Sequence, residues 1–94
     1  MAGYVIGEIE VINPDGFALY RDRVLATVEG HGGRYLTRGG KAEALEGAAP
    51  ARMVVLEFPT FEAARTWYFS PEYQDILGMR SAVATCRLIL VEGV

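Results

Sequence analysis

The apolar positions of this chain recur with two different periods, and their order predicts strands that alternate with helices. Runs rich in β-branched side chains, which are typical of strands, cover residues 4–12, 52–58 and 85–92. Between the first two runs, apolar side chains recur at helical spacing, at Phe17, Tyr20, Val24, Leu25 and Val28. Further helical stripes follow the middle run, at Phe61, Ala64, Trp67 and Tyr68 and then at Tyr73, Ile76 and Leu77.

Polar residues, prolines and glycines mark where these helices begin and end. The pair Asn13-Pro14 fits a helix start, because Asn accepts hydrogen bonds from free backbone N–H groups and Pro suits the first helical position. Thr60 and the pair Ser70-Pro71 predict two further starts for the same reason. The glycine-rich stretch 30–33 predicts the end of the first helix, since glycine tolerates the left-handed backbone of a C-terminal cap.

The middle of the chain predicts a second strand and a hairpin. Residues 34–38 (RYLTR) are strand-like, and Gly39-Gly40 matches a two-residue hairpin turn. We therefore expect residues 41–45 to return as a short strand, followed by a loop over residues 46–51 that includes Pro50. The resulting order, βαββαβ, is the ferredoxin-like arrangement, an α+β fold with an antiparallel sheet and its helices on one face. We expect a single domain over residues 1–94.

The strands predict a sheet with two different faces. Alternation along each strand makes one face wholly apolar, so that it belongs under the helices, whereas the other face is mixed. The mixed face still holds six large apolar side chains: Tyr4, Ile6, Met53, Val55, Ile89 and Val91. A contiguous patch of this kind usually marks an interface or a ligand cavity. Two sheets that pair face to face about a two-fold axis would cover it, so the sequence predicts a homodimer.

Composition narrows the classes of function. The 94 residues are 51% hydrophobic, which is typical of a small packed domain, and the net charge of −3 argues against a nucleic-acid partner. Cys86 is the single cysteine, so neither an intrachain disulfide nor a cysteine-rich metal site is expected. No apolar run approaches the ~20 residues of a membrane span, and charge interrupts the N-terminus too early for a secretory leader. We therefore expect a cytoplasmic protein without membrane contact.

Several stretches of the chain, in their order and spacing, resemble the family known as domain of unknown function 1330. They are residues 32–40 (GGRYLTRGG), 45–47 (LEG), 55–59 (VLEFP), 63–64 (AA), 67–68 (WY), 70–73 (SPEY) and 90–93 (LVEG). The resemblance implies a ferredoxin-like dimeric α+β barrel with a central cavity, and it carries no assigned reaction. The wider superfamily includes cofactor-free monooxygenases of the antibiotic-biosynthesis type, muconolactone-isomerase-like enzymes and haem-dependent peroxidases, which are analogies of fold alone.

The charged residues of the mixed face are the candidate chemistry. Glu8 and Glu57 are candidate catalytic bases, because a partly desolvated carboxylate can have its pKa raised into a useful range. The candidate ligand-binding residues are Arg34, Arg38 and Arg87, since a guanidinium clamps a carboxylate or enolate through paired N–H groups. The alternative is that these charges pair with one another as structural ion pairs.

His31 is a further candidate ligand-binding residue. It follows the helix-ending Gly30 and could exchange a proton near neutral pH. The alternative is a solvated side chain at the negative end of the helix dipole. As the only histidine it cannot anchor a zinc site alone and it supports a haem ligand poorly, so we expect neither a metal nor another cofactor.

Three functions remain open at this point. The chain could bind a small, partly apolar anionic ligand in a central cavity without turning it over. It could be a cofactor-free enzyme of the monooxygenase or isomerase type that uses the same cavity. It could also be a structural dimer whose barrel is filled by its own side chains. The size of any cavity separates the third function from the other two.

Overall fold

A computed structural model describes residues 1–49 and 51–94 of the chain. These residues form four strands and three helices. In chain order the elements are β1 (Gly3–Val11), α1 (Pro14–Glu29), β2 (Arg34–Arg38), β3 (Met53–Phe58), α2 (Phe61–Phe69), α3 (Pro71–Val83) and β4 (Ala84–Glu92). None of the helices in the described ranges is long and apolar enough to cross a bilayer.

The three helices begin at the predicted capping residues. The Asn13 side chain accepts a hydrogen bond from the Gly16 N–H at 3.2 Å, and the Thr60 hydroxyl accepts one from the Ala63 N–H at 3.0 Å. Ser70 lies at the junction of α2 and α3, where it is buried. Its hydroxyl accepts from the Tyr73 N–H at 3.2 Å and donates to the carbonyl of the preceding helix at 2.7 Å. A single side chain therefore ends one helix and begins the next.

The four strands form one antiparallel sheet in the order β2-β3-β1-β4. The central strand β1 pairs with β3 on one side, with Ile6 opposite Val55, and with β4 on the other, with Ile6 opposite Ile89. The predicted ferredoxin-like α+β fold is confirmed. The sheet face under the helices carries Val5, Ile9, Val54, Leu56 and Phe58, all of them buried in the core.

Aromatic rings from α2, α3 and β3 form the centre of the core. The Trp67 ring lies 4.3 Å from the Tyr73 ring and 5.4 Å from the Phe58 ring, measured between centroids. The indole N–H of Trp67 donates to the Thr27 hydroxyl of α1 at 3.0 Å, so its one polar atom is satisfied. One side chain of α2 therefore links all the layers on this side of the sheet.

The predicted return strand at residues 41–45 is wrong. These residues form no strand, and β2 pairs instead with β3 at the end of a longer connection. Gly39 ends β2 with φ +73°, and its N–H donates to the Met53 carbonyl at 2.9 Å. The turn at Gly39 therefore leads into the connection to β3, and the predicted two-residue hairpin does not form. The predicted loop 46–51 includes Pro50, which lies outside the described residues.

The register of β2 shifts part-way along the strand. Arg34 and Tyr35 lie opposite Glu57 and Leu56, whereas Thr37 lies opposite Val55, so Leu36 is the extra residue of a bulge. Because side chains alternate across a strand, one extra residue moves all later side chains to the other face. Arg38 consequently lies under the helices, and its predicted place on the mixed face beside Arg34 is wrong.

Candidate functional site

The sheet surface opposite the helices, called the open face here, is uncovered in the single chain. Its middle row is apolar, with Ile6 of β1 flanked by Val55 of β3 and Ile89 of β4. The Ile89 side chain is 41% exposed and that of Val91 is 42% exposed. The mixed face predicted from the strand pattern is therefore an accessible surface of the isolated subunit.

Two ion pairs flank this apolar row. The Arg34 guanidinium contacts Oε1 of Glu57 through both Nε and Nη2, each at 2.8 Å, while the Tyr4 hydroxyl donates to Oε2 at 3.2 Å. On the other side, Nη1 of Arg87 lies 3.8 Å from Oε2 of Glu8, and both side chains are largely exposed. The structure thus brings four of the predicted site residues together as two pairs. In the single chain, both carboxylate oxygens of Glu57 therefore already have hydrogen-bond partners.

His31 and Arg38 lie away from the open face. Nδ1 of His31 lies 2.9 Å from the Thr27 carbonyl in the turn that follows α1, an arrangement that ties the imidazole to the end of the helix. Arg38 lies on the helix side of the sheet, where Nη2 donates to the Arg21 carbonyl at 2.7 Å. Its guanidinium stacks on the Tyr35 ring, with 4.5 Å between the guanidinium carbon and the ring centroid.

A cavity of about 30 Å³ lies between the sheet and the helices, and it is called the helix-side cavity here. By this measure a water needs roughly 10–15 Å³, so the cavity has room for about two or three waters. Its walls are apolar core side chains joined by three tyrosines and four arginines: Tyr20, Arg21, Tyr35, Arg38, Arg52, Tyr73 and Arg80. Polar side chains therefore form part of the wall of a space that is otherwise lined by the apolar core.

A hydrogen-bonded chain of side chains lines one wall of this cavity. Nη1 of Arg80 donates to the Tyr73 hydroxyl at 3.0 Å, and the Tyr73 and Tyr20 hydroxyls lie 3.1 Å apart. Burial raises the pKa of the Tyr20 hydroxyl, and the neighbouring Tyr73 adds to that rise. Burial likewise raises the pKa of the Tyr73 hydroxyl. Both groups are therefore neutral hydroxyls at physiological pH, able to donate and to accept.

Three guanidinium groups gather at another part of the same cavity. Arg52 lies over the Phe17 ring, with 5.4 Å between the guanidinium carbon and the ring centroid. The pKa of Arg52 is lowered, first by burial and then by the positive charges of Arg21 and Arg38. Tyr35 completes the group, and burial raises the pKa of its hydroxyl even though Arg38 opposes the rise. The cluster concentrates positive charge in a protein whose net charge is −3.

The other chemically reactive groups do not assemble into a site. Cys86 is a free, half-buried thiol whose pKa is raised by burial, which makes it a poor nucleophile near neutral pH. Within residues 1–49 and 51–94 no group of three or more His, Cys, Asp or Glu side chains is placed to hold a metal ion.

Sequence reasoning missed the residues that line the helix-side cavity, although the sequence holds two signals for them. Arg52 has the same strand parity as Val54 and Leu56, which predicts an inward-facing side chain. Arg80 follows Tyr73 by two helical turns, which places it on the buried side of α3. A charged residue on an apolar face is the more informative observation, because burying an unpaired charge is costly.

Comparisons with known proteins place the chain in a family. The model of a domain of unknown function, DUF1330, matches residues 2–94. The chain belongs to the DUF1330 family. No curated protein sequence matches it significantly.

Solved structures share the fold of this DUF1330 protein at low sequence identity. A protein of unknown function from Rhodopseudomonas palustris is 19% identical, with a TM-score of 0.77, and the match covers 99% of this chain and 82% of that one. SnoaB, a cofactor-independent oxygenase from Streptomyces nogalater, is 16% identical, with a TM-score of 0.75 and coverage of 98% and 92%. A dimeric ferredoxin-like protein of unknown function from Thermobifida fusca is 12% identical, with a TM-score of 0.69 and coverage of 99% and 92%. At these identities the likeness establishes the fold alone.

Proposed function

We propose that this DUF1330 protein is a homodimer that binds a small, partly apolar anionic molecule in the helix-side cavity of each subunit. The single observation that carries the proposal is the composition of that cavity. Tyrosine hydroxyls and arginine side chains converge on a space inside a core that is otherwise apolar. Folding alone gives no reason to place them there, since apolar side chains would fill the same space at lower cost.

The proposed site lies elsewhere than most of the residues expected from sequence. The prediction placed ligand binding at Arg34, Arg38 and Arg87 on the mixed face and at His31. On the open face Arg34 and Arg87 pair with glutamates, which supports the structural alternative. The helix-side cavity instead offers side chains whose hydrogen-bonding capacity is not used up, and it is the better place for a ligand.

The homodimer has two lines of support. The open face carries an uncovered apolar row at Ile6, Val55 and Ile89, and covering it at ~25 cal/mol per Å² of apolar area would stabilise a pair of subunits. A structural relative from Thermobifida fusca is described as a dimeric ferredoxin-like protein. We propose that two copies pack their open faces together about a two-fold axis, with the ion pairs at the rim of the apolar row.

Light scattering after size-exclusion chromatography tests the dimer. We expect the native protein to elute with the mass of two chains at micromolar concentration, and Ile89→Asp to elute as a folded single chain. Leu19→Asp is the matched control, because Leu19 lies on α1 and is 61% exposed, on the helix side of the sheet. A native protein with the mass of one chain, or an Ile89→Asp variant that stays dimeric, would contradict the proposal.

Mass spectrometry under native conditions and thermal unfolding together test the ligand. We expect a small acidic molecule to leave the purified protein on denaturation. Adding it back should raise the unfolding temperature, because a ligand that binds only the folded state stabilises it by mass action. If neither a retained molecule nor any member of a small-acid panel raises the unfolding temperature, the third function, a structural dimer with a filled interior, replaces the proposal.

A second candidate function is cofactor-free catalysis in the same cavity. The observation that favours it is the chain from Arg80 through Tyr73 to Tyr20, which holds a neutral hydroxyl against a cation. Such a hydroxyl can donate a hydrogen bond to an oxygen that gains negative charge during a reaction. SnoaB, one of the structural relatives, is described as a cofactor-independent oxygenase.

Turnover of the bound ligand separates this candidate from simple binding. We expect Tyr73→Phe to lose turnover, followed as oxygen uptake or as isomerisation of the ligand, while ligand affinity changes little. Glu8→Gln and Glu57→Gln test the bases predicted from the sequence. Turnover that falls in the glutamate variants and persists in Tyr73→Phe would move the chemistry to the open face.

A further inference from the structure

The helix-side cavity contains more hydrogen-bond donors than acceptors. Nε of Arg52 and Nε of Arg80 are both buried and without a hydrogen-bond partner among the described residues. Buried polar atoms are nearly always satisfied in native proteins, so each such atom needs an explanation. Both side chains belong to the wall of this one cavity.

The tyrosine pair adds a further free donor. Tyr20 and Tyr73 share one hydrogen bond, and either hydroxyl can be its donor. Two hydroxyl hydrogens and one shared bond leave one hydrogen available, whichever way the bond points. Because Arg80 already donates to Tyr73, the oxygen of that hydroxyl accepts a hydrogen bond from the arginine as well. The polar wall therefore offers donors to an occupant.

Carboxylates do not balance these charges within the protein. The two ion pairs in the described part of the chain use Arg34 and Arg87, which lie on the open face. Arg21, Arg38 and Arg52 lie close enough together to lower the pKa of Arg52, and no carboxylate acts on that group. Four of the eight arginines of an acidic chain thus line one small cavity without an acidic partner.

The lack of a side chain at Gly39 leaves room for one of these guanidinium groups. Gly39 lies directly against Arg52, and a Cβ atom at Gly39 would be 2.5 Å from the guanidinium carbon. The Phe17 ring covers the group from another direction. The Arg52 guanidinium is therefore held between Gly39 and the Phe17 ring at the wall of the cavity.

From this donor excess we propose that the cavity binds the carboxylate of a small organic monocarboxylic acid, held by Arg38, Arg52 and Arg80 with a tyrosine hydroxyl. This rests on the proposed function and names its ligand class. A carboxylate supplies acceptors only, and it is planar and matches the guanidinium fork. Phosphate is tetrahedral and carries more charge, so a space of about 30 Å³ with apolar walls disfavours it.

Matched pairs of small molecules test the charge of the ligand. The probes are formate and acetate, each paired with its neutral amide, formamide or acetamide, and inorganic phosphate. Titrations are followed by the Nε–Hε signals of Arg52 and Arg80 in nuclear magnetic resonance spectra of ¹⁵N-labelled protein. We expect each carboxylate to bind at least tenfold more tightly than its amide and to shift both signals, and phosphate to bind more weakly than acetate.

Arginine variants test the residues. Arg52→Gln should weaken acetate binding at least tenfold. The affinity of Arg52→Lys, which keeps the charge and loses the fork, should lie between those of the native protein and Arg52→Gln. Arg23→Gln is the matched control, since Arg23 is an exposed arginine of α1 outside the cavity lining and contacts Met79 instead. If Arg52→Gln does not fold, Arg38→Gln on the edge strand serves the same purpose.

The outcomes separate this inference from the proposed function. Amides that bind as tightly as the carboxylates would overturn the inference and leave a ligand cavity in place. An equal loss in Arg23→Gln would show that net charge, and not the cavity, attracts the anion. Phosphate binding more tightly than acetate would overturn the ligand class. Absence of binding by all five probes, with the unfolding temperature unmoved by any small acid, would overturn both proposals.

Discussion

Arginine side chains have different partners on the two sides of the sheet. On the open face, Arg34 and Arg87 each lie against a glutamate, and both side chains are about 70% exposed. On the helix side, Arg52 and Arg80 each bury an Nε atom without a partner. Exposed pairs of the first kind contribute little to stability and need no ligand to explain them. Buried donors of the second kind carry a desolvation cost without a compensating hydrogen bond.

The comparison teaches that the number of charged residues on a surface is a poor guide to a site. The open face also carries charged side chains along its strands, and two ion pairs form there, Arg34 with Glu57 and Arg87 with Glu8. The polar wall of the helix-side cavity has only cations and hydroxyls, so part of its hydrogen-bond donor capacity has no acceptor. Hydrogen-bond donors that lack acceptors, rather than the number of charges, therefore indicate where a ligand can bind.

The largest expected effect comes from removing the core that supports the cavity. Trp67→Ala should lower the free energy of unfolding by about 3–5 kcal/mol, because it deletes a buried ring that packs on Tyr73 and Phe58. Urea unfolding followed by circular dichroism measures the change. The control, Phe69→Ala, removes a ring of the same helix that is 61% exposed and should cost about 0.5 kcal/mol. Similar costs for both variants would mean that α2 does not pack as described.

An intermediate effect is expected at alkaline pH. Burial raises the pKa of Tyr20 above its ordinary value of 10.0, so the unfolded state releases this proton at lower pH than the folded state. The stability from the neutral hydroxyl is therefore complete below pH 10 and falls as the pH rises above 10. Tyr20→Phe should make that fall shallower by up to about 1.4 kcal/mol per pH unit.

Urea unfolding at pH 9, 10 and 11 measures this slope. The value of each variant at pH 9 serves as its own baseline, which removes the constant cost of losing the hydrogen bond to Tyr73. Equal slopes for the native protein and Tyr20→Phe would show that Tyr20 is accessible to water, and the enclosed character of the helix-side cavity would be lost.

The smallest expected effect lies on the open face. A double-mutant cycle with Arg34→Gln and Glu57→Gln, made in the Ile89→Asp background, should give a coupling energy below about 1 kcal/mol, because the pair is solvated there. In the native background the coupling should be larger, since a second copy would remove water from the pair. Equal coupling in the two backgrounds would indicate that the dimer leaves this pair exposed.

Local signals in the sequence predicted most of the fold. Asn13, Thr60 and Ser70 each accept the backbone hydrogen bond expected of a helix cap, because capping depends on only three neighbouring residues. The two faces of β1, β3 and β4 were also predictable, since alternation follows from strand geometry. The missing strand at residues 41–45 was not, because Gly39 favours a turn but does not say which partner follows it.

The candidate site was less predictable because it depends on register and distance. The bulge at Leu36 turns Arg38 to the helix side, and no feature of the sequence at residues 34–38 predicts this bulge. The cavity joins Arg52 to Arg80, which come from separate elements far apart in sequence. Structural ion pairing was the alternative interpretation of the charges on the mixed face. The contacts of Arg34 and Arg87 support that alternative.

The sequence by itself predicted the four strands and three helices that form, along with one strand that does not. It also determined the helix caps and the apolar face of the sheet, because these depend on periodicity and on contacts within one turn. Only the tertiary structure decided which arginines find a carboxylate and which do not. That outcome depends on which strand pairs with β2, on one extra residue at Leu36 and on how α1 and α3 meet above the sheet. Such long-range contacts bring distant side chains within hydrogen-bonding distance, and no spacing along the chain encodes them.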